Sequence, residues 1–174
     1  MLDRVREALF STLVPWLVAP SEEASMALVL DLFAGSGSLG LEALSRGARS
    51  VRFVEHDGRA LATLRGNLAA LGLEPRTEVV DDDALEPRAW GGDRTADVVF
   101  LDPPYGLLEG AESRLRVLAA LHGLARHVLA HQGVLVLHAP RRRLDASEFE
   151  PELVVRERAY GSSSLWYVQR EAEA

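Results

Sequence analysis

The sequence feature that most constrains the fold is a regular alternation between short apolar runs and segments with helical spacing. Runs this rich in valine and leucine are typical of strands that are buried on both faces. The predicted strands cover residues 27–33, 50–54, 76–80, 97–101 and 133–138, and helical patterns fall at 39–46, 58–71 and 111–131. Strands that alternate with helices predict a parallel sheet with helices on both faces, which is an α/β fold.

Two further parts of the sequence complete the predicted architecture. Residues 3–18 carry apolar side chains at helical spacing and predict an amphipathic N-terminal helix. Residues 153–160 and 165–169 are candidate strands, and the glycine-serine link between them predicts an antiparallel hairpin. With 174 residues, 48% of them hydrophobic, the chain can form one sizeable core. We predict a single domain over residues 1–174, with the helix at about 3–18 and the core at about 26–174.

Composition excludes several classes of function. The absence of cysteine rules out disulfides, thiolate metal sites and a cysteine nucleophile. No apolar run reaches membrane-spanning length and the charged N-terminus does not resemble a signal peptide, so we expect a cytoplasmic protein without a membrane partner. The net charge of −7 argues against a general nucleic-acid binder. All 19 basic residues are arginine, for which a GC-rich genome is the simpler explanation and phosphate binding is the functional one.

Acidic or glycine-rich residues follow each of the first four predicted strands. In an open parallel sheet, ligands bind beyond the carboxyl ends of the strands, near the point where strand order reverses. Gly35-x-Gly37-x-x-Gly40 lies between a strand and a helix, and Glu55 follows twenty residues beyond Gly35. This context favours a cofactor loop over a tight turn without a ligand, because the glycines let a ligand approach the backbone. Glu55 can accept hydrogen bonds from the hydroxyl groups of a ribose.

The acidic edge of the predicted sheet suits a cationic adenosyl cofactor better than a pyrophosphate. The Asp83 carboxylate can accept a hydrogen bond from the exocyclic amine of adenine, and the backbone N–H of Ala84 can donate one to a ring nitrogen. S-adenosylmethionine combines adenosine, a carboxylate and a positive centre. The predicted cofactor-binding residues are Asp31, Phe33, Ala34, Gly35, Gly37, Glu55, Asp83 and Ala84.

Asp102-Pro103-Pro104-Tyr105 follows the fourth predicted strand. The two prolines lack N–H groups and fix φ, so neither a strand nor a helix continues through them. The Asp102 carboxylate and the Pro103 carbonyl are then held at a strand end, where they can accept the N–H groups of a planar amine while Tyr105 stacks on its ring. The alternative is an ordinary exit from a strand into a turn with a surface tyrosine. We predict that Asp102, Pro103, Pro104 and Tyr105 are the catalytic residues.

Arginines at two places are candidate contacts to phosphate groups. Residues Arg141, Arg142 and Arg143 follow the fifth predicted strand and so lie at the same edge of the sheet, while Arg4 and Arg6 lie on the N-terminal helix. A solvated loop and ordinary helix-surface charge are the respective alternatives. His127 and His131 are four residues apart on a predicted helix, but the pattern lacks a metalloprotease acid, and we predict no metal site.

These motifs together resemble the RsmD family. The resemblance rests on Leu-Asp-Leu-Phe-Ala-Gly-Ser-Gly-Ser-Leu-Gly-Leu-Glu-Ala at 30–43, Asp-Pro-Pro-Tyr at 102–105, Asp-Arg-Val-Arg-Glu-Ala-Leu-Phe at 3–10 and Tyr-Gly at 160–161. It therefore extends over essentially the whole chain. Family members usually carry a basic segment and an Arg-Pro-Thr run before the Asp-Arg-Val-Arg-Glu stretch, and this sequence does not contain them.

The resemblance implies a Rossmann-like class I methyltransferase fold, with a mostly parallel seven-stranded sheet, a C-terminal antiparallel hairpin and helices on both faces. It further implies transfer of a methyl group from S-adenosylmethionine to a guanine N2 of small-subunit ribosomal RNA. The implied cofactor contacts are the glycine loop, Glu55 and Asp83, and the implied amine contacts are at 102–105. The expected partner is ribosomal RNA or an assembling small subunit, and the expected state is a monomer.

Several alternatives stay open at the level of sequence. Asp-Pro-Pro-Tyr also occurs in adenine-N6 methyltransferases, and a protein glutamine side chain is another possible amine acceptor. A nicotinamide-binding module shares the glycine loop but explains neither Asp-Pro-Pro-Tyr nor the terminal hairpin. A cofactor-binding protein without catalytic activity is the last alternative. All methyltransferase interpretations require the glycine loop and the double-proline segment to open onto one crevice.

Overall fold

A mixed seven-stranded sheet forms the centre of the computed structural model, which describes residues 3–17, 27–91 and 95–171. The strands are β1 Leu28–Leu32, β2 Ser50–Glu55, β3 Thr77–Asp81, β4 Ala96–Leu101, β5 Leu129–Pro140, β6 Leu153–Tyr160 and β7 Ser163–Arg170. Their order is β3-β2-β1-β4-β5-β7-β6. Strands β1 to β5 pair in parallel, and β7 pairs antiparallel with both β5 and β6. The predicted parallel sheet with a terminal hairpin is therefore confirmed.

Helices cover both faces of this sheet. They are α1 Asp3–Leu17, α2 Ser38–Ser45, α3 Gly58–Leu71, α4 Pro87–Trp90, α5 Tyr105–Glu109 and α6 Ala111–His127, with short 3₁₀ turns at Glu74–Arg76 and Ala146–Glu148. In β4, Val98 and Phe100 pack in the core with α1, α2 and α3, whereas Val99 and Leu101 pack in the core with α4, α5 and α6. Successive strand residues point to opposite faces, so the uninterrupted apolar pattern of β4 results from burial on both sides.

The N-terminal helix packs against the sheet through one apolar stripe. Five side chains of α1 are buried, and the rings of Phe10 and Phe100 meet edge to face with centroids 5.7 Å apart. Trp16 lies partly buried beside this stripe, and its indole N–H donates to the carbonyl of Gln132 at 2.7 Å. The N-terminal helix was predicted to end at about residue 18 and the core to begin at about residue 26, and both positions lie outside the described residues. None of the described helices is long and apolar enough to cross a membrane.

The largest difference from the sequence-based assignment lies between α6 and β5. One long or two shorter helices were predicted over residues 111–131, but α6 ends at His127 and β5 begins at Leu129. Leu129 is buried opposite Ala96, and an irregularity in the pairing comes before Val98 meets Val134. The strand therefore begins at Leu129, before the predicted start at residue 133, because Leu129 is buried against β4. His127 and His131 do not share a helix, so that premise of the metal alternative was wrong.

Candidate active site

The strand order reverses between β1 and β4. These two strands are neighbours in the sheet, although β2 and β3 lie between them in sequence. A cavity of about 870 Å³ opens at the carboxyl ends of the strands beside this point. It is lined by Phe33, Gly35, Glu55, His56, Asp57, Ala60, Asp102, Pro103, Pro104, Tyr105, His138, Ser162 and Ser163. The glycine loop and the double-proline segment thus open onto one crevice, at the place where open α/β sheets bind their ligands.

The glycine loop is built from residues in the left-handed region of backbone conformation. Phe33, Gly35 and Gly37 have φ values of 60°, 57° and 86°. A Cβ added to Gly35 would meet no atom within 4 Å. A Cβ added to Gly37 would lie 2.5 Å from Leu64, and one added to Gly40 would lie 2.2 Å from Phe53. Gly35 therefore leaves space on the cavity side, while Gly37 and Gly40 allow α2 to pack closely against its neighbours.

Phe33 is the strained residue of this loop. A positive φ is rare for a bulky side chain and costs on the order of 1–3 kcal/mol, which the surrounding packing must offset. Phe33 is half-buried, packs against the core beneath α6 and lines the cavity. Its backbone conformation turns the chain out of β1 and into the loop, so this strain is located at the ligand-facing end of the strand.

Glu55 ties the loop to the end of β2. Its carboxylate accepts backbone N–H groups from Gly35 at Oε2 and from His56 and Asp57 at Oε1, all at 2.8 Å. A carboxylate offers about four lone-pair sites, so these three bonds leave about one for a ligand hydroxyl, on Oε2. Glu55 is only 7% exposed, which restricts that remaining acceptor to a group entering from the cavity.

Asp31 lies beneath the loop and does not line the cavity. Its Oδ2 accepts the backbone N–H of Gly40 at 2.8 Å, which fixes the first turn of α2. The pKa of Asp31 is raised to about 8, mainly by burial; the charges of Asp102 and Glu55 also raise it, and the hydrogen bond from Gly40 partly opposes them. Three acidic side chains from β1, β2 and the exit of β4 therefore share this small region, and the charges of Glu55 and Asp102 favour a positively charged ligand.

Asp102 and His138 occupy equivalent positions after their apolar strand residues. Leu101 pairs with Leu137 across β4 and β5, so the next residue on each chain reaches the same edge of the sheet. His138 Nδ1 lies 2.8 Å from Asp102 Oδ1, and its Nε2 lies 3.2 Å from the Tyr105 hydroxyl. The sequence-based prediction of the site omitted His138. A lone histidine closing an apolar run, level with Asp102, was the available signal, but it needed the register of β4 and β5.

Other predicted cofactor residues lie away from the cavity. Ala84 is buried, and its carbonyl accepts the indole N–H of Trp90 at 2.7 Å. Asp83 accepts the backbone N–H of Leu85 at 2.9 Å and lies 3.2 Å from Arg116. Neither residue lines the cavity, and neither do Asp31, Ala34 and Gly37. Their direct contact with a cofactor stays a prediction.

The candidate RNA-binding arginines fall into two groups. Arg141, Arg142 and Arg143 are exposed and line a separate cavity of about 530 Å³ together with Arg114 and several acidic residues. The backbone N–H of Arg141 donates to the carbonyl of Ser162, which lines the main cavity, so this loop adjoins the site. Arg4 is exposed on α1, and Arg6 forms an ion pair with Asp3 at 2.9 Å.

The residues present fit an adenosyl cofactor better than a metal ion. Within the three described ranges, no cluster of three or more histidine, aspartate and glutamate side chains is arranged to hold a metal. The open space at Gly35 admits a ligand against the backbone, and Glu55 keeps an acceptor for a hydroxyl. The nearby carboxylates suit a sulfonium cation.

Comparison with known proteins adds an independent finding. A family model described as "Conserved hypothetical protein 95" matches residues 1–169. The chain is 32% identical over 166 residues to the putative rRNA methyltransferase YlbH of Bacillus subtilis, covering 94% of this chain and 83% of that protein. It is 44% identical over 109 residues to ribosomal RNA small subunit methyltransferase D of Escherichia coli, covering 62% of this chain and 50% of that protein. This second match thus spans half of the relative's length.

Similarity to solved structures agrees with the family match. The putative methyltransferase yhhF from Escherichia coli superposes with a TM-score of 0.75 at 32% identity, covering 98% of this chain and 86% of that one. The strand order and this similarity confirm the predicted Rossmann-like class I methyltransferase fold. Because the family model covers nearly all of the sequence, the chain belongs to the RsmD-type rRNA methyltransferase family.

Proposed function

We propose that this protein transfers a methyl group from S-adenosylmethionine to an exocyclic amine of a nucleobase, and that the amine is guanine N2 in small-subunit ribosomal RNA. One observation carries the proposal. Gly35 and the segment from Asp102 to Tyr105 line the same cavity, so a cofactor on the loop would face an amine held at the strand end. The names of the family relatives support RNA as the substrate.

The residues at the end of β4 would bind and activate the amine. An exocyclic amine is a poor nucleophile because its lone pair is delocalised into the base. Asp102 and the Pro103 carbonyl would accept its two N–H groups, align the nitrogen and stabilise the positive charge that develops on it. Tyr105, 40% exposed at the cavity, would stack on the base, which must be flipped out or single-stranded to enter.

The cofactor, when bound, supplies an electrophilic methyl group on a positively charged sulfur. Methyl transfer would join the amine nitrogen to the methyl carbon in place of the sulfur, and the amine would then lose one proton. Asp102 is placed to accept that proton, because it lines the cavity and its side chain is 25% exposed. Glu55 and Gly35 would hold the ribose and the methionine part, with Asp31 fixing α2 behind them.

The arginines beside the site would position RNA without reading its sequence. Arg141, Arg142 and Arg143 are exposed next to the cavity, and phosphate contacts of this kind supply affinity and register. They would partly offset the acidic character of the site. We propose that the protein acts on RNA or an assembling small subunit as a monomer.

Two measurements test this function. Calorimetry with S-adenosylhomocysteine and with NAD should give binding only to the former, and the reverse would identify a nicotinamide module. Small ribosomal subunits should then be purified from a strain that lacks the enzyme and incubated with the purified protein and radiolabelled cofactor. We expect the label on a guanine N2. Label on adenine N6 or on a protein glutamine would replace the proposed substrate, and cofactor binding without any transfer would indicate a non-catalytic protein.

A further inference from the structure

The most distinctive unassigned feature of the site is a chain of two hydrogen bonds through a buried histidine. His138 is 4% exposed, and both of its ring nitrogens engage cavity residues: Nδ1 lies 2.8 Å from Asp102 Oδ1 and Nε2 lies 3.2 Å from the Tyr105 hydroxyl. All three residues line the cavity, but the histidine is nearly buried, whereas its two partners are more exposed there. This arrangement connects the residue placed to hold the amine with the residue placed to stack on the base.

The donors and acceptors in this chain are fixed by the carboxylate. An ionised aspartate only accepts hydrogen bonds, so His138 Nδ1 must carry the proton that it donates to Asp102. In the neutral form of the ring, Nε2 is then an acceptor to which the Tyr105 hydroxyl donates. Asp102 keeps its other lone pairs for a substrate amine. The hydrogen bonds therefore run in one direction, from Tyr105 through His138 to Asp102.

We propose that His138 is a positioning residue that orients the Asp102 carboxylate and the Tyr105 ring as one unit toward the acceptor amine. This inference rests on the proposed methyl transfer and adds a residue to its machinery. The terminal torsion of an aspartate is broad, so one N–H from a rigid, buried partner restricts the plane of the carboxylate. The hydroxyl bond likewise tethers the Tyr105 ring, which meets the His138 ring edge to face at 5.5 Å.

The surroundings of His138 argue that these contacts are the reason for its presence. It lies in β5 among buried apolar residues: Val134, Leu135, Val136, Leu137 and Ala139. A polar ring in such a strand is unfavourable unless its nitrogens are paired. Both partners line the cavity, so the pairing that this buried ring requires is made with residues of the site rather than with the core.

Two substitutions separate the two bonds. In His138→Asn the amide nitrogen takes the place of Nδ1, so the bond to Asp102 is kept and the bond to Tyr105 is lost. His138→Leu loses both. We expect kcat for methyl transfer to fall about 100-fold in His138→Leu and only several-fold in His138→Asn, with the Kd for S-adenosylhomocysteine unchanged, because misplacement of a reacting group costs on the order of 10²-fold.

A matched pair of controls distinguishes positioning from general loss of stability. Val134→Ala removes a buried side chain from the same strand without touching the hydrogen-bonded chain, and should lower Tm while kcat stays near wild type. Tyr105→Phe should resemble His138→Asn in kcat, and the double variant should be no slower than either. If kcat in His138→Leu equals that of wild type, or if all variants lose kcat in proportion to Tm, the positioning role is wrong.

A measurement without substrate keeps the inference testable even if His138→Leu does not fold or the wild-type enzyme methylates no RNA. Nitrogen-15 NMR of the histidine rings should show His138 protonated at Nδ1, with an Nε2 resonance that shifts in Tyr105→Phe. A ring protonated at Nε2, or one insensitive to Tyr105→Phe, would overturn the inference. Failure of methyl transfer in wild type with the expected spectrum would instead refute the proposed function alone.

Discussion

At the scale of single residues, Asp102 carries the sharpest prediction because its carboxylate both lines the cavity and contacts His138. We expect Asp102→Ala to lower methyl transfer by about 10²–10³-fold, since it removes an acceptor aimed at the charge that develops on the amine. Binding of S-adenosylhomocysteine should persist, because the glycine loop and Glu55 are intact. Single-turnover transfer and calorimetry on one preparation check both statements. A wild-type single-turnover rate in Asp102→Ala would remove Asp102 from the mechanism.

Gly35 gives a second prediction at this scale. An added methyl group meets no protein atom within 4 Å, so Gly35→Ala should fold, with a penalty of about 1–2 kcal/mol for alanine at a φ of 57°. The same methyl group would occupy space on the cavity side, and we expect affinity for S-adenosylhomocysteine to fall at least about tenfold. Gly66→Ala, also in open space but on α3, is the matched control with unchanged affinity. Equal affinities in the two variants would place the cofactor elsewhere.

At the scale of elements, the sequence predicts the long strands better than the short helices between them. The five predicted strands became β1 to β5, and in β4 and β5 the long apolar stretch reflects burial on both faces. The short helices α4 and α5 were not predicted, since four or five residues carry too little periodicity. The carboxyl-end positions of Gly35, Glu55 and Asp102 could be inferred from the strand order of the general fold. His138 could not, because its pairing with Asp102 depends on register across two strands distant in sequence.

The packing of α2 against β2 depends on one glycine. A Cβ at Gly40 would lie 2.2 Å from the Phe53 ring and 2.8 Å from Val51, both buried in the core. We expect Gly40→Ala to lower the free energy of unfolding by about 1–3 kcal/mol, the usual cost of overpacking. Gly66→Ala should raise it by about 0.5–1 kcal/mol, because alanine is the better helix former. Urea denaturation measures both, and a Gly40→Ala protein as stable as wild type would contradict this account of the loop.

At the scale of the whole molecule, the sheet gathers acidic groups that are distant in sequence. Asp31 lies near the end of β1 behind the glycine loop, Glu55 ends β2 and Asp102 follows β4. Parallel strands bring these positions to one edge, and burial with like-charge repulsion raises the pKa of Asp31 to about 8. A cationic ligand would relieve that repulsion. The fold therefore creates an electrostatic preference that no single strand contains, and it links cofactor binding and stability to pH.

This linkage has a definite sign. The pKa of Asp31 is about 8 in the folded protein and close to 3.8 when the chain is unfolded, so between these values the folded state holds one more proton. The free energy of unfolding attributable to Asp31 should therefore fall as pH rises from about 4 to 8, by at most about 1.4 kcal/mol per pH unit, and level off above. Asp31→Asn removes this contribution while its side-chain oxygen can still accept the Gly40 N–H. The stability of Asp31→Asn relative to wild type should thus increase between pH 5 and 8. Urea denaturation of both proteins across that range cancels the titration of groups common to them, and a constant difference would show that Asp31 is already ionised in the folded protein.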